Sequence, residues 1–181
     1  MRYTIAPALL IMSLVGCGSE KGAPTTTAGS ISPSSAPAQS RQERSVPISG
    51  NCVLTFNPAP VPLPPVITQT DVGECRFSHL GHSTVTGVQS INFAAGTQEG
   101  QRTFTAANGD RLEMTHVGTS APAGPGLVRF QSTATIVGGT GRFANARGQV
   151  TNEGTANLVT RTTTAATEGT IIYDASDRAE R

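Results

Sequence analysis

The sequence has a single lysine among its 181 residues, and several common catalytic signatures are absent from it. That residue, Lys21, lies in a segment rich in Ser, Thr, Ala, Pro and Gly. Schiff-base chemistry and a Walker-type phosphate loop both need a lysine in the folded part of the chain, so both are excluded. The patterns G-x-S-x-G, H-E-x-x-H and C-x-x-C do not occur either, which removes the commonest serine hydrolase, zinc protease and dithiol redox sites.

Charge and apolar length exclude further classes of protein. The chain carries 13 Lys and Arg against 12 Asp and Glu, so nothing builds the basic stripe that binds nucleic acid. No nucleic-acid partner is therefore expected, and no cofactor is predicted. The one extended apolar run, Ile5 to Val15, contains Pro7 and is shorter than the roughly 20 residues that a membrane-spanning helix needs.

This apolar run has the form of a bacterial lipoprotein leader. Arg2 precedes it, and it leads into Leu14-Val15-Gly16-Cys17, which reads as a lipobox. We predict a signal peptide over residues 1–16, after which the Cys17 thiol carries a diacylglyceryl group and becomes the acylated N-terminus. Two or more acyl chains anchor a protein stably in a membrane. Because Gly18 supplies no acid for inner-membrane retention, the expected location in a Gram-negative cell is the outer membrane, facing the periplasm.

Composition divides the rest of the chain into a linker, one domain and a tail. Residues 17–45 are predicted to be a flexible linker, because a segment so poor in large apolar side chains cannot offset the entropy lost on ordering. The folded domain is predicted over residues 46–176, a common size for one domain. Residues 177–181 read as a polar tail.

The remaining cysteines predict a disulfide. Lipidation uses Cys17 and leaves Cys52 and Cys75, and an even remainder in an exported chain favours a covalent bridge. The alternative is two unpaired buried thiols.

The domain reads as strands with almost no helix. Gly and Thr are frequent, and Val, Ile and Phe recur in short runs. The clearest hairpin covers Gln101 to Val117, where Asn108-Gly109 supplies a turn between alternating runs. Later strands are predicted over Gly148 to Thr160 and Gly169 to Asp174. The Pro-rich run Pro58 to Pro65 is expected to be a surface crossing.

A glycine-rich run suggests how these strands are arranged. Ile136 to Gly148 reads IVGGTGRFANARG, and the Asn-Gly hairpin lies upstream of it. This corner resembles that of dirigent proteins and, more loosely, of allene oxide cyclases. The resemblance, here on a bacterial lipoprotein, implies an all-β fold, a single antiparallel barrel of about eight strands with an apolar lumen. It also implies that Arg147 lies beside the lumen.

The corner itself has two interpretations. In the structural one, Gly138, Gly139, Gly141 and Gly148 allow a sharp turn, and Phe143 is buried beneath it. The run also matches a dinucleotide-binding fingerprint in form. That pattern works only when it opens a helix inside a βαβ unit, and here strands follow, so the structural corner is preferred.

Histidines provide the other candidate site residues. His116 alternates with Leu112 and Met114, so it could face the lumen as an acid, base or hydrogen-bond donor, or be a structural histidine at a strand end. His79, His82 and Cys75 have spacings that a metal could use. Zinc would need a fourth ligand that the local run lacks, and a disulfide would remove the Cys75 thiolate, so no metal site is predicted.

The sequence leaves three functions open. The leading one is binding of a small apolar molecule in the lumen, or of an envelope partner on the surface, without catalysis. The second is an isomerase or coupling-guide enzyme of the dirigent and cyclase type, with Arg147 and His116 as its polar lumen groups. Dirigent proteins guide the radical coupling of phenols, and allene oxide cyclases cyclise a fatty-acid epoxide. The third is a structural envelope module. A fold of this kind does not choose among them.

Overall fold

The computed structural model describes residues 45–60 and 62–174 of the chain. The predicted signal peptide, Cys17, the linker up to residue 44 and the polar tail lie outside the described residues. The described part forms eight strands that follow one another around a closed barrel, each antiparallel to its neighbours. In chain order these are β1 Ser45–Phe56, β2 Val66–Phe77, β3 Gly81–Asn92, β4 Thr97–Ala106, β5 Arg111–Gly124, β6 Leu127–Gly139, β7 Arg147–Asn157 and β8 Thr162–Ile172.

The predicted all-β barrel is thus confirmed, although some strand bounds differ from the predicted ones. β7 ends at Asn157 rather than at Thr160. β8 begins at Thr162, well before the expected Gly169, because its inward positions Thr163, Ala165 and Thr167 are small and give no apolar pattern. Closure of the ring comes from β1 and β8, which pair from Ser45 with Ile172 to Thr55 with Thr162. Closure therefore leaves no unpaired sheet edge among the eight described strands.

The barrel has two different ends. Since neighbouring strands are antiparallel, the β1–β2, β3–β4, β5–β6 and β7–β8 connections share one end, which we name the open end. The other connections share the opposite, closed end. A short 3-10 helix, Gly141–Phe143, lies in the β6–β7 connection and covers the closed end. No helix in the part of the chain that the structure describes is long and apolar enough to cross a membrane.

Apolar side chains fill the closed half of the lumen. They point inward from alternate positions of all eight strands, as the two-residue period of a strand requires. Phe77 and Phe104 pack edge to face with their ring centroids 5.2 Å apart. The largest of the other members of this cluster are Ile48, Leu54, Leu80, Val85, Leu112, Met114, Ile136, Phe143, Val150 and Ile171.

The glycine-rich corner seals this half. Gly138 and Gly141 have φ angles of 131° and 58°, which only glycine adopts easily. A Cβ at Gly141 would also collide with the carboxylate of Asp110. Phe143 is fully buried, and the guanidinium of Arg142 lies 4.7 Å from its ring centroid.

A series of hydrogen bonds connects the corner to residues near the first and last described positions, Pro47 and Tyr173. The Nη2 of Arg142 donates to the carbonyl of His79 at 2.8 Å. The His79 ring donates from Nε2 to the carbonyl of Pro47 at 2.8 Å, so its Nδ1 accepts from the hydroxyl of Tyr173 at 3.1 Å. His79 is therefore held as a structural group. His82 lies 3.3 Å from Glu74 and is exposed.

The predicted bridge between Cys52 and Cys75 is confirmed. The two residues are directly opposite each other on β1 and β2, and both are buried in the lumen. The bond closes a segment that includes the Pro-rich β1–β2 connection. Among residues 45–60 and 62–174, no group of three or more His, Cys, Asp or Glu is placed to hold a metal ion.

Reduction of this disulfide is expected to lower the free energy of unfolding by roughly 3 kcal/mol, because the unfolded chain regains the entropy of a loop with a sequence separation of 23. Urea unfolding with and without dithiothreitol measures the effect. The Cys52→Ala/Cys75→Ala double variant is the control, since the reductant should leave its midpoint unchanged. Equal midpoints for the native protein under both conditions would refute the prediction.

Candidate functional site

The open half of the lumen is a cavity of about 290 Å³. Its walls are mainly apolar side chains, from Phe56 and Ile67 on one side to Val128 and Phe130 on the other, and Leu63 of the Pro-rich connection lies at its mouth. Ligand cavities in proteins begin near 300 Å³, with mostly apolar walls and a few placed polar groups. The cavity has the size and lining of a site for a small molecule.

A buried ion pair lies at the inner end of the cavity. The Nη2 of Arg102 is 2.7 Å from Oδ2 of Asp71, and its Nε is 3.3 Å from both carboxylate oxygens. The Asp71 side chain is 4% exposed and that of Arg102 is 14% exposed. Charges this deeply buried persist only when they are paired and hydrogen-bonded.

A glycine on the intervening strand makes this pair possible. Asp71 on β2 is opposite Gly87 on β3, and Gly87 is opposite Arg102 on β4, so all three residues point to the lumen. Because Gly87 has no side chain, the carboxylate and the guanidinium meet above its backbone. A Cβ at Gly87 would contact the Asp71 carboxylate and would lie 2.8 Å from Cγ of Arg102.

Three further polar side chains extend the pair. Nη2 of Arg102 lies 3.5 Å from Oε1 of Gln89, which also accepts from Nε2 of His116 at 3.4 Å. Gln89 in turn donates from Nε2 to Oε1 of Gln69 at 2.9 Å. Gly100 separates Gln89 from His116 in the register, as Gly87 separates the ion pair. We name Gln69, Asp71, Gln89, Arg102 and His116 the polar floor.

Burial and, to a smaller extent, the nearby Arg102 charge lower the pKa of His116 to about 4, while the Asp71 charge opposes them. At neutral pH the imidazole is therefore uncharged. Since its Nε2 donates to Gln89, its Nδ1 carries no proton. His116 lies on the face shared with Leu112 and Met114, where alternation in the sequence placed it.

We expect the free energy of unfolding to fall by roughly 3 kcal/mol as the pH is lowered from 7 toward 4, in proportion to this shift from 6.5 to about 4. The folded-state pKa is below the unfolded one, so the unfolded chain takes up a proton that the native state does not. The contribution of neutral His116 to the free energy of unfolding is therefore fully present above about pH 6.5 and is lost as the pH falls toward 4. His116→Gln should lose much of this dependence in urea titrations, whereas His82→Gln, at an exposed site, should keep it. Parallel curves for the native protein and His116→Gln would count against it.

The expectation that Arg147 faces the lumen is wrong. Arg147 is opposite Ile172 on β8, and the next pair, Gly148 with the fully buried Ile171, points inward. Because successive residues of a strand face opposite sides, Arg147 lies on the outer surface, where it is exposed.

The sequence reasoning missed the ion pair. Asp71 and Arg102 are 31 positions apart, and no local motif joins them. A usable signal was present in β2, where the alternation Ile67, Gln69, Asp71 changes from apolar to polar while keeping the same face. A glycine at the inward position of the next strand was the second part of that signal.

Comparisons with known proteins show similarity in structure but not in sequence. No family model matches the chain, and no curated protein sequence does. The structure is similar to that of the pterocarpan synthase dirigent protein GePTS1, with a TM-score of 0.47, 12% sequence identity, and coverage of 73% of this chain and 93% of that one. The barrel architecture described here is established by its own strand pairing.

Proposed function

We propose that this protein binds a small, largely apolar molecule in the open half of its barrel. The observation that carries the proposal is the cavity of about 290 Å³, which has apolar walls and a buried ion pair at its inner end. A purely structural module has no need of a polar floor of this kind, since well-packed apolar residues of similar volume are often at least as stabilising as a buried ion pair.

The test is to fill the cavity. Ala156 on β7 lines the cavity, so Ala156→Phe should occupy it and abolish binding of the neutral fluorescent probe N-phenyl-1-naphthylamine. Thr151→Phe, at an exposed position of the same strand, is the matched control and should bind like the native protein. Equal probe binding by the native protein and Ala156→Phe, both folded by circular dichroism, would overturn the proposal.

A dirigent- or cyclase-like reaction in the same cavity is the alternative. Its support is the resemblance of the glycine-rich corner, together with donor groups of Arg102 beside an apolar space, where they could stabilise charge that develops on a substrate oxygen. Arg147 has no place in such a site, and Arg102 takes its role. Mass spectrometry of molecules that co-purify with the barrel, before and after incubation, distinguishes a bound ligand that is returned unchanged from one that is converted.

We also propose that the barrel is held at the outer membrane, facing the periplasm, by acyl chains on Cys17. The support is the Leu14-Val15-Gly16-Cys17 motif and the leader before it. Cys17→Ala should move the protein from the membrane fraction to the soluble fraction and abolish acyl labelling. A variant that stays in the membrane fraction, with no label on the native protein, would refute the anchor.

A further inference from the structure

The polar floor presents unused hydrogen-bond donors to the cavity. Arg102 has five N–H groups, and its Nε and Nη2 are directed to Asp71 and Gln89. Within residues 45–60 and 62–174, no acceptor is placed for Nη1, which lies on the edge of the guanidinium away from Asp71. Arg102 lines the cavity, so these donors are available to a molecule bound there.

The hydrogen-bond chain also fixes the orientation of Gln69. Because a guanidinium can only donate, Gln89 must turn its amide oxygen toward Arg102. Its amide nitrogen then donates to Oε1 of Gln69. The amide nitrogen of Gln69 is left without an acceptor among the described residues, and Gln69 lines the same cavity. The floor therefore presents two hydrogen-bond donors to the cavity, Nη1 of Arg102 and the amide nitrogen of Gln69, and neither has an acceptor among the described residues. Gln98, Ser120 and Thr163 also line it, but each can donate or accept, so none of them decides the ligand.

The net charge of the floor is zero. Asp71 is within 2.7 Å of Arg102 and offsets its charge, and His116 is neutral. An anion at the inner end would be buried without a counter-charge of its own, which is costly, whereas a neutral oxygen needs only the donors. Arg161 also lines the cavity, but it is exposed in the β7–β8 turn, where water and salt screen its charge.

We propose, building on the binding function above, that the cavity selects an uncharged apolar molecule with a hydrogen-bond-accepting oxygen, such as a ketone, aldehyde or ester carbonyl. Nη1 of Arg102 donates to that oxygen, and the apolar remainder fills the space toward the mouth. Asp71 is a specificity-determining residue, because its charge makes the floor neutral and so disfavours carboxylates.

The test compares three probes of the same chain length with the native protein. The probes are nonane, 2-nonanone and nonanoate, and each displaces N-phenyl-1-naphthylamine at pH 7. We expect 2-nonanone to bind at least about tenfold more tightly than nonane or nonanoate. A hydrogen bond to a charged donor contributes enough free energy for a difference of this size. Equal affinity for 2-nonanone and nonane would overturn the inference while leaving the binding function intact. Failure of every probe to bind would remove both.

A charge variant tests the role of Asp71 separately. Asp71→Asn keeps the size of the side chain and removes the charge that offsets Arg102. Nonanoate should then bind at least about tenfold more tightly than it does to the native protein. Glu74→Gln, an exposed acid on the same strand, is the control and should leave the ranking unchanged. A preference for nonanoate in the native protein that Arg161→Gln abolishes would mean that an anion binds at the mouth, and would overturn the inference.

Discussion

Arg102→Met is expected to lower the free energy of unfolding by about 3–5 kcal/mol at pH 7, because the variant leaves the Asp71 carboxylate buried without its partner. The Asp71 side chain is 4% exposed and Arg102 supplies three of its contacts, at 2.7 and twice 3.3 Å. Methionine keeps much of the length of the arginine stem, so the loss reports mainly the uncompensated charge. Urea unfolding followed by circular dichroism measures it.

The double variant Asp71→Leu/Arg102→Met provides the control. Replacing both members of a buried ion pair with apolar residues is often neutral or stabilising, so this variant should recover most of the lost stability. A loss below about 1 kcal/mol in Arg102→Met would mean that water reaches Asp71, and that the floor is less enclosed than its burial indicates.

Phe143→Ala is expected to cost roughly 3–5 kcal/mol, the range for removing a fully buried aromatic side chain. Phe143 has 0% exposure, and its ring centroid lies 5.3 Å from that of Tyr173. The variant loses the transfer free energy of the ring and leaves a cavity at the closed end. The short connections of the covering 3-10 helix limit how far it can move to fill that cavity. Thermal and urea unfolding measure the change.

Val137→Ala serves as the comparison for Phe143→Ala. Val137 is 55% exposed on β6, next to the same corner, so its truncation should stay within about 0.5 kcal/mol. A cost for Phe143→Ala that is no larger than this would show that the corner does not close the lumen.

We expect the closed half of the lumen to contribute mainly to stability and the open half mainly to ligand binding. The closed half contains the apolar cluster and Phe143, while the open half contains the cavity and the Pro-rich connection at its mouth. The polar floor lies between them. Phe143→Ala should therefore reduce stability with little effect on probe affinity, whereas Ala156→Phe should reduce affinity with little effect on stability.

The sequence by itself determined the all-β fold class, the clearest hairpin, the disulfide and the corner. Alternation around Asn108-Gly109 predicts a hairpin, and in the structure Gly109 has a φ of 88° between β4 and β5. Two cysteines left over once Cys17 is assigned to the predicted lipobox predict the Cys52–Cys75 bond. These features depend on residues close in sequence or on a simple count, so local physics is enough to predict them.

Only the tertiary structure decided which side chains meet in the lumen. Alternation groups the residues of one strand into two faces, but register and closure decide which face is inside, and a shift of one residue exchanges them. That is why Arg147 lies outside, although a family resemblance placed it beside the lumen. It is also why Asp71 and Arg102 form the floor of the cavity: pairing of β2, β3 and β4 places both opposite Gly87, and the missing side chain there lets the two charges meet.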